Sequence, residues 1–546
     1  MSTIKVENYF QVVLILKKRV VSALLTITFS FLALSGRLYS ISSNTELVSA
    51  QPHIRVRELG IKKGTIYDRN GKPITNNKTK TIICAKPSAE NAVLLNKLKG
   101  KKFTKSTILK GYFTSFTTPK SNQINENEGI KKFDVFERYG DCIALHLLGY
   151  TDIDGNGVSG IEKYYQKEID EYKGSISVAY SADALGRMLI GENIEIRNNN
   201  YYSPGGIMLT IDRNIQIIVE KALKSGNINK GAAVVLDANT SAILACASTP
   251  LYDRSNIEKY LNSADAPFIN RAFECFPVGS VFKPVTAAAA LESGINLTEY
   301  NCKGYIEKSG NKFNCNKLAG HGKLDFNTAI AASCNPYFIE LSTQTGAKKL
   351  LNTAKELGFG KSIDLGNGFI TSQGYLPNIE ELNSSAAVGN LGFGQGKLTA
   401  SPLQIATCFA TIANGGIYNE PYIYKGVVDN NGNTSPTIQK NGKRVLRKNT
   451  CEAIKNAMAL TTTAGTGKGA FTSLFNSCTK TATAQSGQYD ENGLEIKYCW
   501  FVGFFPIENP RYVVCILKEN GSSGGTDGAP VFKEISENIY ISNISR

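Results

Sequence analysis

Ser280 and Lys283 stand three residues apart at the start of an alanine-rich stretch, FPVGSVFKPVTAAAALESG. On a helix that spacing puts both side chains on one face, with the lysine amine within reach of the serine hydroxyl. A serine at a helix N-terminus also sits beside outward-pointing N–H groups that stabilise an oxyanion. Pro284 falls in the first turn, where its missing N–H costs little. A lysine can act as base for a serine once burial or a second cation lowers its pKa. Taken alone, Ser-x-x-Lys is better met by a serine N-cap beside a solvated lysine.

Partners of the right kind lie downstream. AIAASCNPYFIEL carries Ser333, Cys334 and Asn335, and SCTKTATAQSGQYD carries Lys480, Thr481, Ala482 and Thr483. Small and β-branched residues after Lys480 read as an exposed edge strand. Ser-x-x-Lys, then Ser-x-Asn, then Lys-Thr before a final pair of strands is far more specific than any one piece. The set points to acyl transfer through a serine ester.

These residues need a scaffold that brings them together. A chain of 546 residues is expected to hold two or three folded units. From about Gly206, GGIMLTID leads into an amphipathic helix, RNIQIIVEKALKSG, and GAAVVLDANTSAILACAS reads as an antiparallel hairpin around DANTS. A long helical stretch is expected from about Asn270 to Ile412. Within it ASPLQIATCFATIANGG has a clear start, with Ser401 as N-cap, Pro402 first and Gln404 third, and Gly415 sits at its C-terminal end. SCTKTATAQ, KYCWFVGFFP and RYVVCILKEN form three strands whose short connections make them antiparallel, and APVFKEISENIYI closes the chain as a helix. One sheet with helices on both faces follows, an α/β (α+β) multidomain architecture. Upstream, from Ile54 to about Tyr202, short strands and helices alternate with polar loops. Asn70-Gly71 signals a hairpin, and GVSGIEKYYQKEIDEY a helix with Ile161, Tyr164, Tyr165 and Ile169 on one face.

The N-terminus bears on the compartment. Val20 to Gly36 is an uncharged, mostly apolar run of 17 residues, at the short end of what spans a bilayer. Lys17, Lys18 and Arg19 precede it and Arg37 follows. The positive-inside rule then puts the N-terminus in the cytoplasm and everything after Arg37 outside. Ala33-Leu34-Ser35 keeps a cleaved signal peptide as the rival. The net charge of +15 suits an anionic partner, but the lysines are scattered and form no block that would argue for nucleic acid.

Twelve cysteines are many for such a chain. With no C-x-x-C and only His53, His146 and His321, a zinc site is not expected. Cys302 and Cys315 flank KGYIEKSGNKFN, and Cys334 lies inside the Ser-x-Asn motif. Outside the membrane a disulfide among these three is reasonable, with connectivity unassigned. One that reached Cys334 would distort the site, a redox switch; a static Cys302–Cys315 staple or buried free thiols are the alternatives. His321 in AGHGKL is expected to pack in a local turn. GTGKGA, from Gly465 to Ala470, lacks the Ser or Thr of a phosphate loop after Lys468 and reads as a loop near the site. Trp500 is expected to pack on its strand beside the cleft.

With these motifs in order, the chain resembles the class B, monofunctional transpeptidase penicillin-binding proteins. KKGTIYDRNGKPI is similar to the family's R-G-x-I-x-D-R-x-G box, and GVSGIEKYYQKEI resembles its S-G-x-E box. GIMLTIDRNIQ, GAAVVLDANTSAILACASTPLYD, LGFGQGKLTASPLQIA, WFVGFFP and GAPVFKEI resemble later landmarks in order, so the likeness runs from about residue 54 to 540.

The resemblance implies a cytoplasmic tail and transmembrane anchor over 1–37 and an elongated pedestal over 38–205. A transpeptidase domain over 206–546 would follow, its central antiparallel sheet flanked by helices as in serine β-lactamases. It implies a single-pass, membrane-anchored peptidoglycan D,D-transpeptidase that cross-links stem peptides through a Ser280 acyl-enzyme. Lys283 would be the acylation base, Ser333 a proton shuttle to the leaving group, and Asn335 a partner of the substrate amide or of Lys283. Lys480 would supply a second positive charge that lowers the pKa of Lys283 and attracts the substrate carboxylate, which Thr481 would bind. The N–H groups of Ser280 and Thr483 would form the oxyanion hole. No metal or organic cofactor is implied. β-Lactams would be covalent inhibitors, and the pedestal and membrane helix would contact a SEDS-family glycosyltransferase.

Three residues depart from the family's pattern. Lys63 stands for an Arg, Ser241 for the Gly of a hairpin turn, and Ala482 for the Gly of Lys-Thr-Gly. A methyl at 482 would either crowd substrate or point away from it. A D,D-carboxypeptidase or β-lactamase-type hydrolase uses the same machinery, and a weakened scaffold would follow if Ala482 disables the site.

Overall fold

The computed structural model describes residues 3–43, 53–93, 108–118, 122, 124–183, 185–189, 191–295, 297–438, 441–489 and 493–544. The chain divides into two compact units. The first takes in Met1–Gly60, Lys80–Val135 and Ser175–Asn199. The second takes in Ile61–Thr79, Phe136–Gly174 and Asn200–Arg546.

In the first unit a continuous helix, α1, runs over Thr3–Ser43, with apolar side chains exposed from Val12 to Ile41. No helix among the described residues is long and apolar enough to cross a membrane. The uncharged run from Val20 to Gly36 gives only about 25 Å of helix. The same unit holds two three-stranded sheets and a small core around Ile83, Phe116 and Ile130.

The second unit carries the Ser/Lys motifs. Asp212 accepts from Asn214 N and Ile215 N and so starts α2, Arg213–Ser225. The expected hairpin follows as β1, Gly231–Asp237, and β2, Ile243–Thr249. The stretch expected to be helical does contain α3, Lys283–Glu292, α4, Asn335–Thr345, and α5, Pro402–Ala413. It is interrupted, however, by two small ribbons. β3, Tyr300–Cys302, pairs with β6, Gly322–Leu324, and between them β4, Tyr305–Lys308, pairs with β5, Asn311–Asn314. Strands this short carry too little periodicity to be read against flanking helical pattern. α5 begins with the expected capping box, Ser401 and Gln404 bonding each other's backbone N–H, with Pro402 in its first turn. Gly415 follows the helix at φ 81°, a left-handed value suited to glycine.

The last three strands, β7, Cys478–Tyr489, β8, Glu495–Phe505, and β9, Tyr512–Glu519, complete a five-stranded antiparallel sheet in the order β2-β1-β9-β8-β7. The closing helix α6 spans Ala529–Ile544. Alternation along β1 explains the layers. Ala232, Val234 and Leu236 join the core with α3 and α5, whereas Ala233 and Val235 join the core with α2 and α6.

Two of the departures have local structural meaning. Lys63 Nζ lies 3.5 Å from Glu162 Oε2 and 3.6 Å from Asp170 Oδ1, and Arg138 Nε donates to Glu162 Oε1 at 2.8 Å. The Arg-Gly-type and Ser-Gly-x-Glu boxes thus meet in one buried ion cluster. Ser241 closes the β1–β2 turn at φ 58° with its Oγ buried and unbonded. A non-glycine residue in that conformation is strained by ~1–2 kcal/mol, and a buried unpaired hydroxyl costs ~1–3 kcal/mol more. Ser241→Gly gives back ~0.5–1 kcal/mol of that through chain entropy. We expect it to raise stability by at least about 1 kcal/mol, read as a higher urea midpoint at unchanged m-value.

Candidate active site

Gly279–Phe282 forms one 3-10 turn that runs directly into α3, so Ser280 lies just ahead of the helix and Lys283 is its first residue. Ser280 is half-buried, and its Oγ makes no hydrogen bond among the described residues. Lys283 is completely buried. Its amine donates to Ser333 O at 2.6 Å, Asn335 Oδ1 at 2.7 Å and Ser333 Oγ at 3.1 Å, beside the Phe338 ring.

Lys480 on β7 is equally buried and donates to Ser333 Oγ and to Thr481 O, both at 2.9 Å. Ser333 Oγ therefore accepts from both lysines, which uses both of its lone pairs and leaves its O–H free to donate. Ser333 adopts φ 52°, an uncommon conformation for a non-glycine residue and one that recurs at functional sites.

Burial sets the electrostatics. It pulls the Lys283 amine down to about 7, against a smaller upward pull from the Cys334 and Cys315 thiols. Burial and then the neighbouring Lys283 hold Lys480 well below the ordinary lysine range. The resemblance assigned the depression of Lys283 to its second cation; the cause is desolvation instead, and it is Lys480 that its neighbour Lys283 lowers.

β7 is the edge strand of the sheet and runs against the Ser280 turn. A cleft of about 1360 Å³ opens there, lined by Ser280, Ser333, Asn335, Thr481, Ala482 and Thr483 among others. Thr481 Oγ1 donates to Thr466 Oγ1 at 2.8 Å, so the GTGKGA loop borders the cleft through a threonine hydroxyl rather than through a phosphate cradle. Gly524 N donates to Thr483 Oγ1 at 3.4 Å. Trp500 is buried on β8 and donates to Pro277 O at 2.8 Å, a packing role.

The methyl of Ala482 is buried. It faces Gly279, where an added Cβ would come within 3.3 Å of it and within 3.1 Å of the Ala484 Cβ. Gly279, at φ 63°, thus supplies the room that the missing glycine at 482 would otherwise give. Ala482→Gly is expected to change acylation by less than about threefold while costing ~0.8 kcal/mol of burial. Gly279→Ala is expected to slow acylation about tenfold by displacing Ser280, with partial rescue in the Gly279→Ala/Ala482→Gly pair. Stopped-flow β-lactam acylation of the four proteins measures this.

Of the cysteine expectations, buried free thiols is the one the structure meets. All twelve cysteines are unbridged. Cys302, Cys315 and Cys334 are buried close together, and His321 joins them rather than packing alone in a turn.

Ser280 thus shares a cleft with Ser333, which accepts from buried Lys283 at the start of α3 and buried Lys480 on the edge strand, an arrangement able to form a serine ester. The penicillin binding protein transpeptidase domain pattern matches residues 231–537, more than half of the chain, and the chain belongs to that family. Stage V sporulation protein D of Bacillus subtilis is 29% identical over 524 residues, covering 87% of this chain and 77% of that protein. Peptidoglycan D,D-transpeptidase MrdA of Acinetobacter baumannii is 27% identical over 557 residues, covering 88% and 80%. A chain of a peptidoglycan synthase complex, solved for its coordination of polymerization and crosslinking, shares the fold with a TM-score of 0.68 at 22% identity, covering 96% of this chain and 98% of that one.

Proposed function

We propose that this protein is a membrane-anchored peptidoglycan D,D-transpeptidase that works through a Ser280 ester. The observation that carries the reading is the pair of buried amines meeting on Ser333 Oγ beside an unbonded Ser280 hydroxyl. An ammonium at 283 has three protons and no lone pair, and three acceptors surround it. The neutral amine gives up the longest of those bonds, to Ser333 Oγ, and its lone pair takes the Ser280 proton as Oγ attacks the penultimate D-Ala carbonyl. The C–N bond breaks, and Ser333 relays a proton to the departing D-Ala amine, leaving Ser280 acylated. The amine of a second stem peptide then attacks the ester, forms the cross-link and returns a proton to Ser280.

In this reading Lys480 fixes Ser333 by the hydrogen bond it donates to Ser333 Oγ, Thr481 and Thr483 bind the substrate's carboxylate end and main chain, and Asn335 holds Lys283. The chemistry calls for no metal or cofactor. The exposed apolar side chains of α1 support an anchor. Lys17, Lys18, Arg19 and Arg37 flank its uncharged run, and their long side chains let a short span reach both interfaces. The likeness to a chain of a complex that couples polymerization with crosslinking supports a glycosyltransferase partner.

The test is labelling of the full chain with a fluorescent penicillin, with the adduct located by mass spectrometry. A stable adduct on Ser280, absent in Ser280→Ala, is the expected result. Labelling that survives Ser280→Ala refutes the nucleophile, and rapid release of hydrolysed penicillin favours a hydrolase.

A further inference from the structure

We propose that Cys302, Cys315, His321 and Cys334 form a tetrahedral Cys3His site for a zinc ion that holds the Ser333–Asn335 wall of the cleft in place. Their ligand atoms all lie within 4.8 Å of one another. Cys315 Sγ is 3.9 Å from Cys334 Sγ and 3.4 Å from His321 Nδ1. With Zn–S near 2.3 Å and Zn–N near 2.0–2.1 Å, a tetrahedron has edges of about 3.8 Å between sulfurs and about 3.5 Å between sulfur and nitrogen. The two distances fit that figure. A sulfur pair at 3.9 Å is not a disulfide, whose bond is about 2.05 Å, and a disulfide would use two of the four groups and leave the imidazole without purpose.

The missing C-x-x-C argued against zinc in the sequence. Here the ligands come instead from four separated places: the end of β3, the residue after β5, the residue before β6, and the N-cap residue just ahead of α4. Their convergence is a product of ribbon pairing, which no local spacing rule reports. Three thiolates and one imidazole suit zinc rather than calcium or magnesium. Four protein ligands close the coordination sphere, so the ion is structural and offers no position to substrate. Binding releases three thiol protons to solvent, leaving a complex with net charge −1 and no redox change.

Its consequence reaches the cleft because Cys334 lies between Ser333 and Asn335. The two ribbons have only two strands each, rest on α4 and are marginal without further support. They are nevertheless tied to the motif: Asn335 Nδ2 donates to Asn314 O at 3.1 Å, and Asn316 Nδ2 to Ala332 O at 3.2 Å. A metal clasp across Cys315 and Cys334 would fix that seam and, with it, the left-handed Ser333.

The experiment uses the full chain purified in detergent, with Zn2+ and Co2+ as probes. Elemental analysis is expected to find about one zinc per chain, falling below about 0.1 in Cys315→Ser and His321→Ala. Co2+ in place of zinc is expected to give intense visible bands and sulfur-to-metal charge transfer of a tetrahedral thiolate site. Chelation is expected to lower the melting temperature, with Zn2+ restoring it, and to slow β-lactam acylation at least tenfold. Should Cys315→Ser fail to fold, the chelator and Co2+ measurements on the unaltered chain decide the matter. Less than about 0.1 zinc per chain after incubation with Zn2+, a Co2+ spectrum without charge transfer, or zinc content unchanged in both variants overturns the proposal. Because metal content is read directly, it fails or stands apart from the transpeptidase reading.

Discussion

Lys283→Met is expected to cut the rate of β-lactam acylation by about 10³, the loss that follows removal of a positioned general base. Methionine has nearly the length of lysine and suits a fully buried position, so the variant should fold and keep its thermal transition. Stopped-flow acylation together with that transition separates lost chemistry from lost structure. The pH profile adds a signature that packing alone would not give. Only the neutral amine can take the Ser280 proton, so acylation by the unaltered protein should rise with pH through about 7, where burial places Lys283. Below that value it should fall about tenfold per pH unit, and above it level off. Lys480 and the sulfurs of Cys315 and Cys334, ligands in the zinc proposal, are the charged or ionisable groups facing Lys283. In Lys283→Met the inflection should vanish. A residual activity that keeps the inflection near 7 would assign the base elsewhere.

Glu162→Gln carries the second large effect, on stability. The Glu162 carboxylate is fully buried. Burial alone would raise its pKa, yet Arg138, then Lys63 and the Tyr139 hydroxyl, outweigh burial and hold it below the usual glutamate range. Removing the negative charge leaves Arg138 without its buried carboxylate and Lys63 with only the more exposed Asp170. Breaking a buried pair in this way costs ~3–5 kcal/mol. The sign with pH is determined. A carboxylate with a depressed folded pKa contributes stability above its unfolded value of about 4.3, and that contribution disappears as pH falls through the lower, folded value. Urea unfolding of both proteins at neutral and acidic pH should show a gap that narrows in acid. A gap that stays constant would place the effect in packing instead.

What could be read from the chain beforehand follows a physical line. Elements whose evidence is local were legible: the Ser401–Gln404 capping box, the β1–β2 hairpin, the three closing strands and the order of the Ser-x-x-Lys, Ser-x-Asn and Lys-Thr motifs. Relations that exist only after distant segments pack were not. The ribbons that break the helical stretch, the meeting of Lys63 with Glu162, the fit of Gly279 against Ala482 and the approach of His321 to three cysteines all depend on neighbours far apart in sequence. Ala482 shows the difference best. The strand letters identify it as an anomaly, but only the empty side of Gly279 explains how its methyl is accommodated.

The strand order has a consequence for how the protein comes to be made. β1 pairs with β9, so Asp237 must find Tyr512, a partner roughly 275 residues further along the chain. The first hairpin emerges early but cannot gain its second neighbour until nearly the whole polypeptide has been synthesised. Such non-local pairing makes folding slow and leaves the apolar edge of β1 open to mispairing meanwhile. Ser280 likewise waits for Lys480, so acylating activity should appear only on completed chains. A truncated product would be an unfinished sheet, exposed to aggregation and proteolysis, rather than a partly active enzyme.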